Sequence, residues 1–154
     1  MDLKNIMTVS GQSGLFTLVS KGKNSLIVES LENGRRLPVY SNQRANSLEE
    51  ISVFTLSAEL PLKKVLLTIF RQEEGKQVEL PSKTEEGKLR DYFKLIVPDH
   101  DPLKVYLSDI RKILSWYNQL LLQSNLEWKE DEEIGEDNGE DAPIPEKDAP
   151  ETGQ

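Results

Sequence analysis

The chain has 154 residues, with 19 Lys or Arg, 27 Asp or Glu, one His and no Cys, and a net charge of −8. Without cysteine there are no disulfides, thiolate zinc sites or thiol nucleophiles, which suits a reducing cytoplasm. The opening Met1-Asp2-Leu3-Lys4-Asn5-Ile6-Met7 is not a secretory signal, and aliphatic runs such as Leu120-Leu121-Leu122 are far short of the roughly 20 residues that span a bilayer, so no membrane association is expected.

The first 57 residues read as short strands between strong turn signals. Ser10-Gly11-Gln12-Ser13-Gly14 turns into Leu15-Phe16-Thr17-Leu18-Val19, whose branched and aromatic side chains suit a half-buried pleated surface. Lys21-Gly22-Lys23-Asn24 turns into a strand from Ser25 to Leu31. Asn33-Gly34 then predicts a type I′ hairpin, with a return strand from Arg36 to Tyr40 in which Pro38 marks an edge. Ser47-Leu48-Glu49-Glu50 has capping-box spacing and predicts one helical turn, and Ser52 to Leu56 closes the set. Four or five such strands fit a small SH3-like β-barrel over 1–57.

After Leu60 the hydrophobic period becomes helical. Pro61 suits a first helical position, Leu62, Val65, Leu66, Ile69 and Phe70 follow at helical spacing, and Gly75 is a stop. Ser82 and Glu85 form a second capping box before a helix carrying Leu89, Tyr92, Phe93 and Ile96, ended by Pro98. Ser108 is the expected cap of a third helix whose stripe is Ile110, Ile113, Leu114, Tyr117, Leu120 and Leu121. Residues 58–128 therefore predict a three-helix domain packed on the barrel, an α+β chain as a whole. Residues 129–154 hold eleven acids against Lys129 and Lys147, a net of −9, which leaves +1 for the body. With Ile134 and Ile144 as its only large apolar residues, this segment cannot offset the entropy of ordering and is expected to be a disordered acidic tail.

Several of these segments resemble a Bacteroidetes family of small proteins of unknown function. They are Leu3-Lys4-Asn5-Ile6, Val9-Ser10-Gly11 with Gly14-Leu15-Phe16, Gly22-Lys23-Asn24, Val28-Glu29-Ser30-Leu31-Glu32 and Ser47-Leu48-Glu49-Glu50-Ile51-Ser52-Val53-Phe54. In the second half they are Val97-Pro98-Asp99-His100-Asp101, Val105-Tyr106 with Ser108-Asp109-Ile110, and Trp116-Tyr117-Asn118. The resemblance covers about residues 1 to 125. It implies an SH3-like N-terminal domain, a helical C-terminal domain and a bacterial cytoplasmic protein, and it brings no catalytic residues with it.

No catalytic signature is visible. His100, between Asp99 and Asp101, has no second histidine or cysteine to share a metal or complete a catalytic set, and is expected in a solvated turn. Lys21-Gly22-Lys23-Asn24-Ser25 fails the phosphate-loop pattern, because Thr17 stands where the first glycine belongs and Asn24 where the hydroxyl belongs. Neither cofactor nor metal is expected. Lys21, Lys23, Arg35, Arg36 and Arg44 are candidates for a nucleic-acid-binding cluster beside Phe16, Tyr40 and Phe54, although Phe16 and Phe54 fall at core-facing strand positions. Trp116 and Tyr40 are candidate partner contacts. The reading that follows is a non-enzymatic cytoplasmic module that binds a protein. The alternative is a nucleic-acid-associated protein whose acidic tail is autoinhibitory.

Overall fold

The structure, a computed structural model, describes residues 1–130, so the expected acidic tail lies outside the described residues from residue 131 on. Strands β1 (Ile6–Val9), β2 (Phe16–Lys21), β3 (Ser25–Ser30), β4 (Arg36–Tyr40) and β5 (Ala45–Ser47) form one antiparallel sheet in the order β4-β3-β2-β1-β5. β4 and β5 are its two edges, and no strand pairing joins them. Pro38 therefore sits on an edge, as its missing N–H requires. Val9, Phe16, Val28 and Val39 point to one side and make a small core of their own.

Two expectations for this half fail. The Asn33-Gly34 turn is not type I′, which needs a positive φ at both central residues. Gly34 has φ 74° but Asn33 does not share the left-handed region. The connection is longer: Ser30 N–H donates to Arg35 O at 2.8 Å, and the Ser30 Oγ accepts from Glu32 N–H and Asn33 N–H. The Ser52–Leu56 segment does not complete the sheet either. Its core, β6 (Ser52–Phe54), pairs with β7 (Glu59–Pro61) in a separate ribbon that leads straight into the first helix.

Helix α1 (Leu62–Glu73) buries Leu62, Val65, Leu66, Leu67 and Ile69, with Pro61 just before it rather than inside it. It ends with Glu74 in the left-handed region at φ 54° and Gly75 N–H donating to Phe70 O. The Ser82–Glu85 box heads a single 3-10 turn (Lys83–Glu85), and α2 (Gly87–Ile96) begins only afterwards. Helix α3 (Leu107–Leu121) buries Ile110, Ile113, Leu114, Tyr117 and Leu120. Its cap is Tyr106 rather than Ser108: the Asp109 carboxylate accepts from Tyr106 N–H at 2.9 Å. Asp109 thus stabilises the backbone one turn earlier than the hydroxyl of Ser108 would have.

The larger core is shared by the two halves of the chain. Met1, Leu3, Leu15, Leu48 and Val53 are buried in one cluster with the inner faces of α1, α2 and α3. Each such side chain contributes about 1.5–3 kcal/mol on full burial, so the helices and the sheet stabilise each other. Trp128 closes the bottom, stacked on Phe70 with ring centroids 4.8 Å apart and edge-on to Tyr117. Among the described residues no helix is long and apolar enough to cross a membrane.

Candidate functional site: a basic groove along helix α3

One flank of α3 faces the turn between β1 and β2. Ser108, Arg111, Ser115 and Gln119 recur at helical spacing beside the buried stripe, so they form one polar face. Gln119 fastens the turn to that face: its Oε1 accepts Leu15 N–H at 2.9 Å while its Nε2 donates to Ser115 Oγ. Gly14, at φ 81°, makes the close approach possible, because any Cβ there would run into the Glu32 carboxylate and lie 3.3 Å from Gln119 Oε1. On the other side Ser10 N–H donates to Arg44 O at 2.8 Å, which fixes Arg44 at the rim.

The result is a groove of about 760 Å³, with Arg44, Arg111, Lys112 and Trp116 among its lining residues and no carboxylate among them. Arg111 is partly engaged: it donates to Pro81 O at 2.9 Å and lies 3.9 Å from Glu86. Among the described residues no carboxylate stands within ion-pair distance of Arg44 or Lys112, both of which are exposed. Lys112 and Trp116 also wall a second, more apolar niche of about 220 Å³ that includes Phe54, Val105 and Ile113. Lys104 Nζ stands 5.1 Å from the centre of the Phe54 ring there. Phe54, expected in the core, is 42% exposed because β6 pairs in the ribbon and turns this side chain outward.

The sequence candidates are dispersed. Lys21 and Lys23 lie at the β2–β3 turn, whereas Arg35 and Arg36 lie at the other end of β3. The register pairs Lys21 with Leu26 and Arg36 with Glu29, about 10 Å apart along β3 and on its opposite flanks. Arg36 is also ion-paired to Glu29 at 2.9 Å. Of the five cations only Arg44 lines the groove, and of the two aromatic candidates Trp116 lines it while Tyr40 is exposed on edge strand β4. The sequence candidates do not include Arg111, Lys112 or Lys104; the polar repeat Ser108, Arg111, Ser115 and Gln119 is the signal that points to the first of them.

His100 is not in a solvated turn. It is 3% exposed, its Nδ1 donates to Val97 O at 2.8 Å, and its Nε2 accepts from Arg90 at 3.1 Å, while Arg90 also donates to Val105 O. Phe93 meets the imidazole edge-on. The residue is a structural clasp between α2 and the segment before α3. A further cleft of about 460 Å³ holds Tyr92, whose hydroxyl donates to Glu73 Oε2 at 2.6 Å. Burial, reinforced by that carboxylate, pushes the phenol well above its ordinary range, so it is a fixed donor. Among the described residues no group of three or more His, Cys, Asp or Glu is placed to hold a metal ion.

Two family models divide the chain. A domain of unknown function (DUF5606) matches residues 3–48 and another (DUF6852) matches residues 51–120. The solution NMR structure of a protein from Bacteroides vulgatus is similar at 35% sequence identity and a TM-score of 0.66, covering 82% of this chain and 91% of that one. The chain belongs to the family of that protein. The family boundary between residues 48 and 51 falls where the sheet ends and the β6–β7 ribbon begins. No curated protein matches the chain.

Proposed function

We propose that this family member is a non-enzymatic cytoplasmic interaction module that binds a protein partner through the groove between the β1–β2 turn and α3. The observation that carries the reading is the lining of the groove: three cations and Trp116 with no carboxylate, next to an apolar niche that shares two of its walls. Cations select an acidic partner and steer its approach, and a half-buried aromatic beside a niche supplies the anchor that gives an interface its affinity. The sheet, which we read as SH3-like, supplies the turn that forms the opposite bank. The absence of cysteine is what favours the cytoplasm.

Nucleic-acid association is the second reading, favoured by the same cations beside Trp116, a mixture that also stacks and neutralises single strands. Fluorescence anisotropy on the full chain at low salt separates the two. A labelled acidic peptide with one central leucine should bind, and Arg44→Glu and Lys112→Glu should each weaken it about tenfold, as expected when a charge-assisted contact worth about 1.4 kcal/mol is lost. Binding of a labelled single-stranded oligonucleotide in place of the peptide would transfer the groove to the second reading. Binding of neither would remove both.

A further inference from the structure

The niche and the groove together define their occupant. Phe54, Val105, Ile113 and Trp116 offer apolar walls to one aliphatic side chain; Lys104 and Lys112, with Arg44 and Arg111 beyond, outnumber the one carboxylate of the lining, Asp109, which is engaged by Tyr106 N–H, and so call for carboxylates on either side of it. Residues 131–154 have that pattern: ten acids against Lys147, a net of −9, with Ile134 and Ile144 as the only large apolar residues. Ile144 lies between Pro143 and Pro145, with Glu140 and Asp141 before it and Glu146 after it. A Pro-Ile-Pro sequence is biased towards the extended backbone that a groove accepts.

Reach decides between the two isoleucines. Glu130 and Gln123 line one cleft near the C-terminal end of α3, and Ile113 is ten residues back, about 15 Å along the helix. Ile134 is four residues past Glu130, which spans at most about 14 Å and leaves nothing for rounding the helix. Ile144 is fourteen residues past it, with up to about 50 Å of extended chain. We propose that residues 140–148 dock on this chain's own groove, with Ile144 in the Phe54–Trp116 niche and the flanking acids facing Arg44, Arg111 and Lys112. This rests on the reading of the groove as a docking site and adds its regulation: an acidic partner binds by displacing a tethered competitor, so its apparent affinity falls with the fraction of groove that is occupied.

The chain's two tryptophans make the test internal, since Trp116 lines the niche and Trp128 is stacked on Phe70. In nitrogen-15 NMR spectra of the full chain, Ile144→Ser should move the Trp116 indole signal and leave that of Trp128 in place, while Ile134→Ser should move neither. Raising salt to about 1 M, where charges are screened within about 3 Å, should move the Trp116 signal in the same direction as Ile144→Ser. A Trp116 signal indifferent to Ile144→Ser, or equally sensitive to Ile134→Ser, overturns the proposal. The acidic peptide with one central leucine, added to the Ile144→Ser chain, keeps the two readings apart. Binding several-fold tighter than to the unaltered chain supports the competitor; equal binding overturns it while the docking groove stands, and no binding removes the groove reading and the competitor with it.

Discussion

At the scale of single residues, the polar groups inside this protein tie segments together. His100 uses both ring nitrogens, one as donor to Val97 O and one as acceptor from Arg90. Replacing it with Ala strands the Val97 carbonyl and part of the Arg90 guanidinium, so His100→Ala should cost about 1–3 kcal/mol in urea titration. A loss below about 0.5 kcal/mol would place it among ordinary surface substitutions. Tyr117, fully buried, donates its hydroxyl to Lys76 O at 2.8 Å, and burial, helped by Glu73, pushes its phenol up to about 12. The unfolded chain releases that proton near pH 10. The folded protein holds it more tightly, so the contribution is complete below about pH 10 and is lost as pH rises towards about 12. Because Tyr92 shifts in the same direction, the measurement belongs in a Tyr92→Phe background. There Tyr117→Phe should flatten the fall of stability across that window; an unchanged slope would show that another group titrates.

At the scale of elements, the amphipathic stripe of α3 separates residues that look alike in composition. Ile113 is buried in the shared core, while Leu122, just past the helix, is 69% exposed. Ile113→Ala should therefore cost about 2–5 kcal/mol and Leu122→Ala no more than about 0.5 kcal/mol. The start of the same helix gives a second contrast. Asp109→Ala should cost about 1 kcal/mol, since its carboxylate holds Tyr106 N–H. Ser108→Ala should be close to neutral, because no hydrogen bond of its side chain caps the helix. Thermal unfolding of both variants that ranked Ser108 above Asp109 would move the cap back to where spacing alone puts it.

For the whole molecule, cooperativity follows from the placement of the core. Leu3, Leu15, Leu48 and Val53 come from the first 57 residues, yet they are buried against the helices, and the core that the sheet keeps for itself is built on four buried side chains. A chain of about 60 residues is marginal even with a complete core. Residues 1–57 expressed alone should therefore give poorly dispersed proton NMR spectra and weak circular dichroism. A stable, well-dispersed fragment would mean that the small core suffices.

The sequence by itself determined what depends on neighbours within a few residues. The three helical stripes, the exposed strand marked by Pro38, the stop near Gly75 and the split between an acidic C-terminal segment and a near-neutral body all follow from periodicity, backbone chemistry and composition. β1, β5 and β7 were not legible because strands of three or four residues carry too few alternations to stand out, and they are ordered by their partners. The candidate site was legible in part: Trp116 and Arg44 were named from sequence, but the grouping of Lys21, Lys23, Arg35 and Arg36 with Arg44 was not a property of the chain's order. Strand register sent those four to opposite ends of β3, while Gln119, more than a hundred residues from Leu15, brought Arg111 and Lys112 to face Arg44 across a groove. The same holds for His100 and Phe54, whose burial and exposure depend on which surface arrives beside them. Local patterns fix which stripe each helix buries; which strand and loop side chains are covered, and which charges meet, is fixed only when the elements pack.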